Sequence, residues 1–149
     1  MEYKKNDIAK LERLLYRYRE MIAEIKNIDI EIEYIKQHPD GVNSISYEEK
    51  SSPTNKFNSS VENEVIAIDK KIEMLKEQKA EQVYWTSKID NALEVLDQRS
   101  KQIIEMKYFE KINNTKIAAR LNLTEEWICK LKNDSLKQLI NFNKELVLL

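Results

Sequence analysis

The run Lys116-Ile117-Ala118-Ala119-Arg120-Leu121-Asn122-Leu123-Thr124-Glu125-Glu126-Trp127-Ile128 places a helix end, a tight turn and a helix start in close succession. Asn122 accepts the left-handed backbone that a sharp interhelical turn requires, and Thr124 has the side chain of a helix N-cap. The small Ala118 lets two helices approach at their crossing. Ile117, Ala118, Leu121, Leu123, Ile128 and Leu131 fall at inward positions of two short helices, Thr115 to Leu121 and Glu125 to about Leu139. Ahead of them, Asp97 to about Glu110 reads as a further helix. Its Ile103, Met106 and Phe109, with Leu136 and Leu139, close a small core. The C-terminal region, residues 96–149, is therefore expected to be a helix-turn-helix bundle.

Upstream the grammar changes. From Asn6, apolar residues recur at Leu11, Leu14, Tyr18, Met21, Ile25, Ile28, Ile32 and Ile35, in steps of three and four. That spacing is a coiled-coil-like seam, widened by Ile8, Leu15 and Ile22 and flanked by charged residues. His38-Pro39-Asp40-Gly41 stops the helix. A polar Ser/Pro-rich stretch at about 38–60 follows, read as a long loop. Ser59 with Glu62 has the pattern of a capping box and opens a second run through Val65, Ile68, Ile72 and Leu75. The stripe weakens at Lys79 and Gln82, then resumes at Trp85, Ile89, Leu93 and Leu96, which gives a helix of ~35 residues or about 50 Å. Two seams of similar length joined by one loop fold most simply as an antiparallel hairpin, so residues 1–95 are expected to form a helical arm. Pairing between two chains through the same seams is the competing arrangement, and it makes a homo-oligomer a candidate.

Composition agrees with an all-α chain: 34% of the residues are charged, with a single Gly and two Pro among 149. Lys and Arg (25) nearly balance Asp and Glu (26), but the balance is uneven along the chain. Residues 96–149 carry ten basic and seven acidic side chains, net plus three, and residues 1–95 carry fifteen and nineteen, net minus four. The C-terminal part is thus the polyanion-binding candidate. One cysteine, Cys129, and one histidine, His38, provide neither an internal disulfide nor a metal cluster, which fits a reducing cytoplasm. No stretch approaches the ~20 apolar residues of a membrane span, and no signal-peptide core follows the charged first residues. No glycine-rich phosphate loop, Ser/His pairing or His/Cys/Asp cluster points to catalysis, so neither an enzyme nor a cofactor is expected.

Three blocks, Ile103 to Phe109, Lys116 to Thr124 and Ile128 to Leu139, agree in spacing with region 4 of sigma-70 factors. A helical hairpin with a Ser/Pro-rich loop ahead of such a module resembles the RinA/ArpU type of phage late transcription regulators. That resemblance implies a small phage or prophage protein that activates late genes with the host's RNA polymerase and binds double-stranded promoter DNA, without catalysis. In region 4 the second helix of the pair enters the major groove. Carried over, this nominates Glu125, Glu126, Cys129, Lys130 and Asn133 as the groove face and Lys116, Arg120, Thr124 and Lys132 as phosphate contacts.

The departures from that pattern are informative. Sigma factors place arginines near the start of this helix, where this chain has Glu125, Trp127 and Cys129. A lost arginine–guanine pair costs about 1–3 kcal/mol of discrimination. Glu125 reads as a stabiliser of the helix dipole, and Glu126 either does the same or accepts a hydrogen bond from cytosine. Lys116 stands where the family has an acidic capping partner, trading a cap for a cation near a phosphate. Trp127 either packs on the bundle or anchors a polymerase surface. Two alternatives follow: an adaptor that binds RNA polymerase without reading DNA, and a small-terminase-like DNA-packaging component, which ordinarily carries its helix-turn-helix first.

Overall fold

The computed structural model describes residues 5–39 and 57–148, with side chains in the second stretch from Val61 onward, and every regular element among them is helical. The first amphipathic run is two helices, α1 (Lys5–Tyr16) and α2 (Tyr18–Gln37). They part at Arg17, whose N–H is shared between the carbonyls of Arg13 and Leu14 at 3.3 and 3.2 Å. The apolar seam carries through this break: Leu11, Leu14, Met21, Ile28, Ile32 and Ile35 are buried, and Tyr18 and Ile25 half-buried.

The second long helix, α3 (Phe57–Leu93), is 37 residues long. It begins ahead of Ser59, so the backbone of that residue is already helical and not at an N-cap; its side chain lies outside the described residues, as does the 40–56 part of the expected loop. The polar gap in the α3 stripe has a physical cause, because Lys79 reaches Asp29 of α2 at 2.6 Å. Val65, expected in the seam, is exposed.

Asp97 caps α4 (Gln98–Ile104), which runs on as a π-helical turn, Glu105–Phe109. The widened turn closes through Glu110 N–H to the Glu105 carbonyl at 3.0 Å. Together α4 and this turn send side chains to two cores: Ile103 and Met106 to one, Ile104 and Tyr108 to the other. Next come α5 (Asn114–Leu121), α6 (Glu125–Phe142) and a 3-10 helix, Lys144–Val147.

The chain divides into two compact units. One takes Met1–Ile22 with Tyr84–Leu149, and the other Ala23–Val83. Packing therefore draws its boundary elsewhere than at residues 95/96. In the first unit, α1 packs against α6, the π turn and the 3-10 helix. Their shared core holds Leu11, Leu14 and Leu15 with Ile89, Leu93, Tyr108, Leu136, Leu139, Ile140, Leu146 and Val147. Two polar contacts fix that assembly. Buried Tyr108 donates to Glu12 Oε2 at 3.0 Å, and Tyr18 donates to Asp90 Oδ1 at 2.6 Å while stacking on Phe109 at 4.1 Å between ring centroids. Burial raises both phenol pKa values, and the neighbouring carboxylates raise them further. The expected three-helix core is accordingly split: Phe109, Leu136 and Leu139 serve this larger core and not the smaller one around Ile117.

The second unit is built on Ile28, Ile32 and Ile35 of α2 and Leu75 of α3, with Ile68 and Ile72 packed against them. No helix among the described residues is long and apolar enough to cross a membrane.

Candidate nucleic-acid interface

The interface is assembled from two capped helices and one residue with a positive φ angle. Asn113 Oδ1 accepts from the Lys116 N–H at 2.9 Å and starts α5, a residue before the Thr115 start expected from sequence. Asn113 thus supplies one half of a capping box, while the reciprocal bond, an N3 side chain accepting from the Asn113 N–H, cannot be made by Lys116. At the other end Asn122 adopts φ 54°, ψ 44°, and the Leu123 N–H bonds back to the Ala118 carbonyl at 3.0 Å. Thr124 Oγ1 then accepts from the Trp127 N–H at 3.1 Å and opens α6. The two helices are held by Ile103, Met106, Ile117, Ala118 and Ile128, with Ile112, Leu121, Leu123 and Leu131 around them.

Around this core the nominated residues point outward. Lys116, Arg120, Thr124, Glu125, Glu126, Lys130 and Asn133 are exposed, and Cys129 and Lys132 are half-buried. Arg120 lies 3.7 Å from Glu110, a loose surface pair that leaves its guanidinium open to a stronger anion. Asn133 Nδ2 reaches Cys129 Sγ at 3.7 Å, which ties the two along the helix. Glu126, Lys130 and Asn133 follow in steps of four and three and so share one stripe of α6.

Two features go beyond the nominated set. Lys137, exposed, continues the same stripe four residues after Asn133; the helical spacing that joined Lys130 to Asn133 was the signal for it. Trp127 is 42% exposed, and Lys130 Nζ sits 5.0 Å from its ring centroid. The indole therefore holds a cation beside the stripe and does not fill the core. The first turn of α6, Glu125-Glu126-Trp127-Ile128, carries two acids and no basic residue. Among the described residues no group of three or more His, Cys, Asp or Glu is placed to hold a metal ion.

Comparison with known proteins picks out this same region. A family model described as Sigma-70, region 4 matches residues 92–140, from the last turn of α3 to near the end of α6. No curated protein and no solved structure matches the chain. The C-terminal helices of this all-α chain thus form a sigma-70 region 4-like domain.

Proposed function

We propose that the chain is a phage or prophage transcription regulator of the RinA/ArpU type, a sigma-like activator of late genes that contacts promoter DNA and the host RNA polymerase. The observation that carries this reading is the coincidence of the region 4 match with a turn built as such a module requires, capped on both sides and pivoting on Asn122. Within it, Glu126, Cys129, Lys130 and Asn133 face the groove with Glu125 at its edge, and Lys116, Arg120, Thr124 and Lys132 meet phosphates. The second unit, Ala23–Val83, serves as a helical arm. An antiparallel hairpin is supported by the Asp29–Lys79 pair together with the Ile28, Ile32, Ile35 and Leu75 cluster, which join α2 to α3.

The test is binding of the purified chain to DNA from the region upstream of its own late operon. Binding that weakens steeply with salt supports the reading, because each neutralised phosphate adds about 0.9 to the log–log slope. Failure to shift any such fragment at low salt removes direct recognition.

One observation favours the adaptor reading. The first turn of α6 presents two glutamates and an exposed tryptophan where a groove-reading helix gains from cations. Co-purification with core polymerase in the absence of promoter DNA, with activity kept in a Lys130→Glu, Lys132→Glu double variant, would select it.

A further inference from the structure

The first compact unit carries a second set of cations, on α1 and not on the helix-turn-helix. Lys10, Arg13 and Arg17 succeed one another at steps of three and four, so they line one face, from α1 into the turn that ends it. That face turns away from Leu11 and Leu15, which α1 buries. Arg13 and Arg17 are exposed, Lys10 is half-buried, and the three border a shallow depression floored by Leu14. Acids flank the ridge at both ends, Asp7 three residues before Lys10 and Glu20 three after Arg17, but neither forms an ion pair with it, and Glu12 is engaged by Tyr108. Like most cations among the described residues, Lys10, Arg13 and Arg17 have no carboxylate partner; Arg13 Nε donates to the Ala9 carbonyl at 3.4 Å, which leaves its terminal nitrogens available.

We infer that this ridge binds the phosphate backbone of duplex DNA, as a contact surface additional to α6. The inference rests on the DNA-binding reading above. Three considerations choose the ligand. The cations are spread along about 10 Å of helix, the rise over which one DNA strand presents about three phosphates, so they suit a linear polyanion better than a single small anion. Two of the three are arginines, whose planar fork matches phosphate oxygens. Because α1 packs on α6 and on the π turn, the ridge and the helix-turn-helix are held on one body, and a duplex meeting both loses no further freedom for the second contact.

The experiment follows the fluorescence anisotropy of a labelled 30-base-pair duplex of mixed sequence, titrated with the full chain between about 50 and 200 mM salt. The Arg13→Gln, Arg17→Gln variant is expected to lower the log–log salt slope by about 2 and to weaken binding at the lowest salt about tenfold or more. The Arg13→Lys, Arg17→Lys variant should keep the slope. A Lys130→Gln, Lys137→Gln variant should lower it separately, with the two effects adding. If the wild-type chain binds and the glutamine pair leaves the slope unchanged, the ridge is overturned while the helix-turn-helix reading stands. If the lysine pair loses as much as the glutamine pair, charge on the ridge is not the cause and the inference is likewise overturned. Absence of wild-type binding overturns both readings together. Should the double glutamine change reduce helicity or melting temperature, the single variants decide, each with an expected slope loss of about 0.9.

Discussion

Asn122 concentrates the demand of the turn in one backbone angle pair, φ 54° and ψ 44°, which costs most L-residues roughly 1–2 kcal/mol. Asn122→Gly should therefore leave the urea midpoint almost unchanged, while Asn122→Val should lower stability by about 1–2 kcal/mol or more, since a β-branched side chain resists that region. Asp97 is a second residue whose role is local and chemical. Its Oδ1 accepts from the Ser100 N–H at 2.8 Å and its Oδ2 from the Ser100 hydroxyl at 3.2 Å. These bonds, the backbone one first, hold its pKa below the ordinary aspartate value. A carboxylate whose folded pKa is lowered stabilises the fold above its unfolded pKa, about 3.9, and that contribution is lost as pH falls through the folded value. Asp97→Ala should cost about 1 kcal/mol at neutral pH. Asp97→Asn should retain most of the cap but remove its share of the acid sensitivity, which thermal melts at pH 7 and pH 3 would compare. Equal losses for both substitutions at neutral pH would show that the charge matters and not the cap.

Among the elements, α5 and α6 were legible because their determinants lie within a few residues of one another: the left-handed Asn122, the Thr124 cap, and apolar positions at helical spacing. The amphipathic runs of α2 and α3 were legible for the same reason, although not the break at Arg17, which interrupts hydrogen bonding without interrupting the seam. The position of α1 was not legible. Its leucines continue the α2 stripe in sequence, and nothing in their periodicity distinguishes packing on α2's neighbours from packing on α6 and the 3-10 helix. The contact that settles the matter, Tyr108 to Glu12, joins residues 96 apart. The π turn escaped for a related reason, since it answers to two cores at once and local propensity encodes neither. Of the interface, the outward direction of most nominated side chains was readable, whereas Lys137 and the Trp127–Lys130 pairing needed the helix to be in view. A quantitative consequence attaches to α1. Leu15 is 1% exposed in the larger core, so Leu15→Ala should destabilise the first unit by about 2–5 kcal/mol. Trp85 packs against the same core while Trp127 is exposed. Urea unfolding followed by tryptophan emission should therefore show an earlier red shift that belongs mainly to Trp85, and an unchanged midpoint would mean that α1 does not dock.

For the whole molecule, the dependence of the C-terminal helices on distant segments sets a minimum size for a folded unit. Residues 96–149 by themselves leave Tyr108, Leu136, Leu139, Ile140, Leu146 and Val147 without the partners supplied by Leu11, Leu14, Leu15, Met21, Ile89, Ala92 and Leu93. At roughly 1.5–3 kcal/mol for each large apolar side chain returned to water, the loss rivals the entire stability of an ordinary domain, about 5–15 kcal/mol. The smaller core around Ile117 and Ile128 remains, so the expected state of that fragment is helical but loosely packed: a broad thermal transition and binding of a hydrophobic dye. A chain that keeps residues 5–22 and 84–149 should behave differently. Tyr18 and Asp90 are hydrogen-bonded at 2.6 Å, and the cut ends at Ile22 and Tyr84 lie only about one to two helical turns from that contact, so a linker of roughly eight Gly/Ser residues reaches between them. This shortened chain should melt cooperatively, and it should retain the duplex binding attributed both to α6 and to the α1 ridge, whereas the 96–149 fragment should lose the ridge's share of the salt slope. Cooperative melting of residues 96–149 at the temperature of the full chain would contradict the prediction, because it would mean that the larger core contributes nothing to holding the helix-turn-helix together.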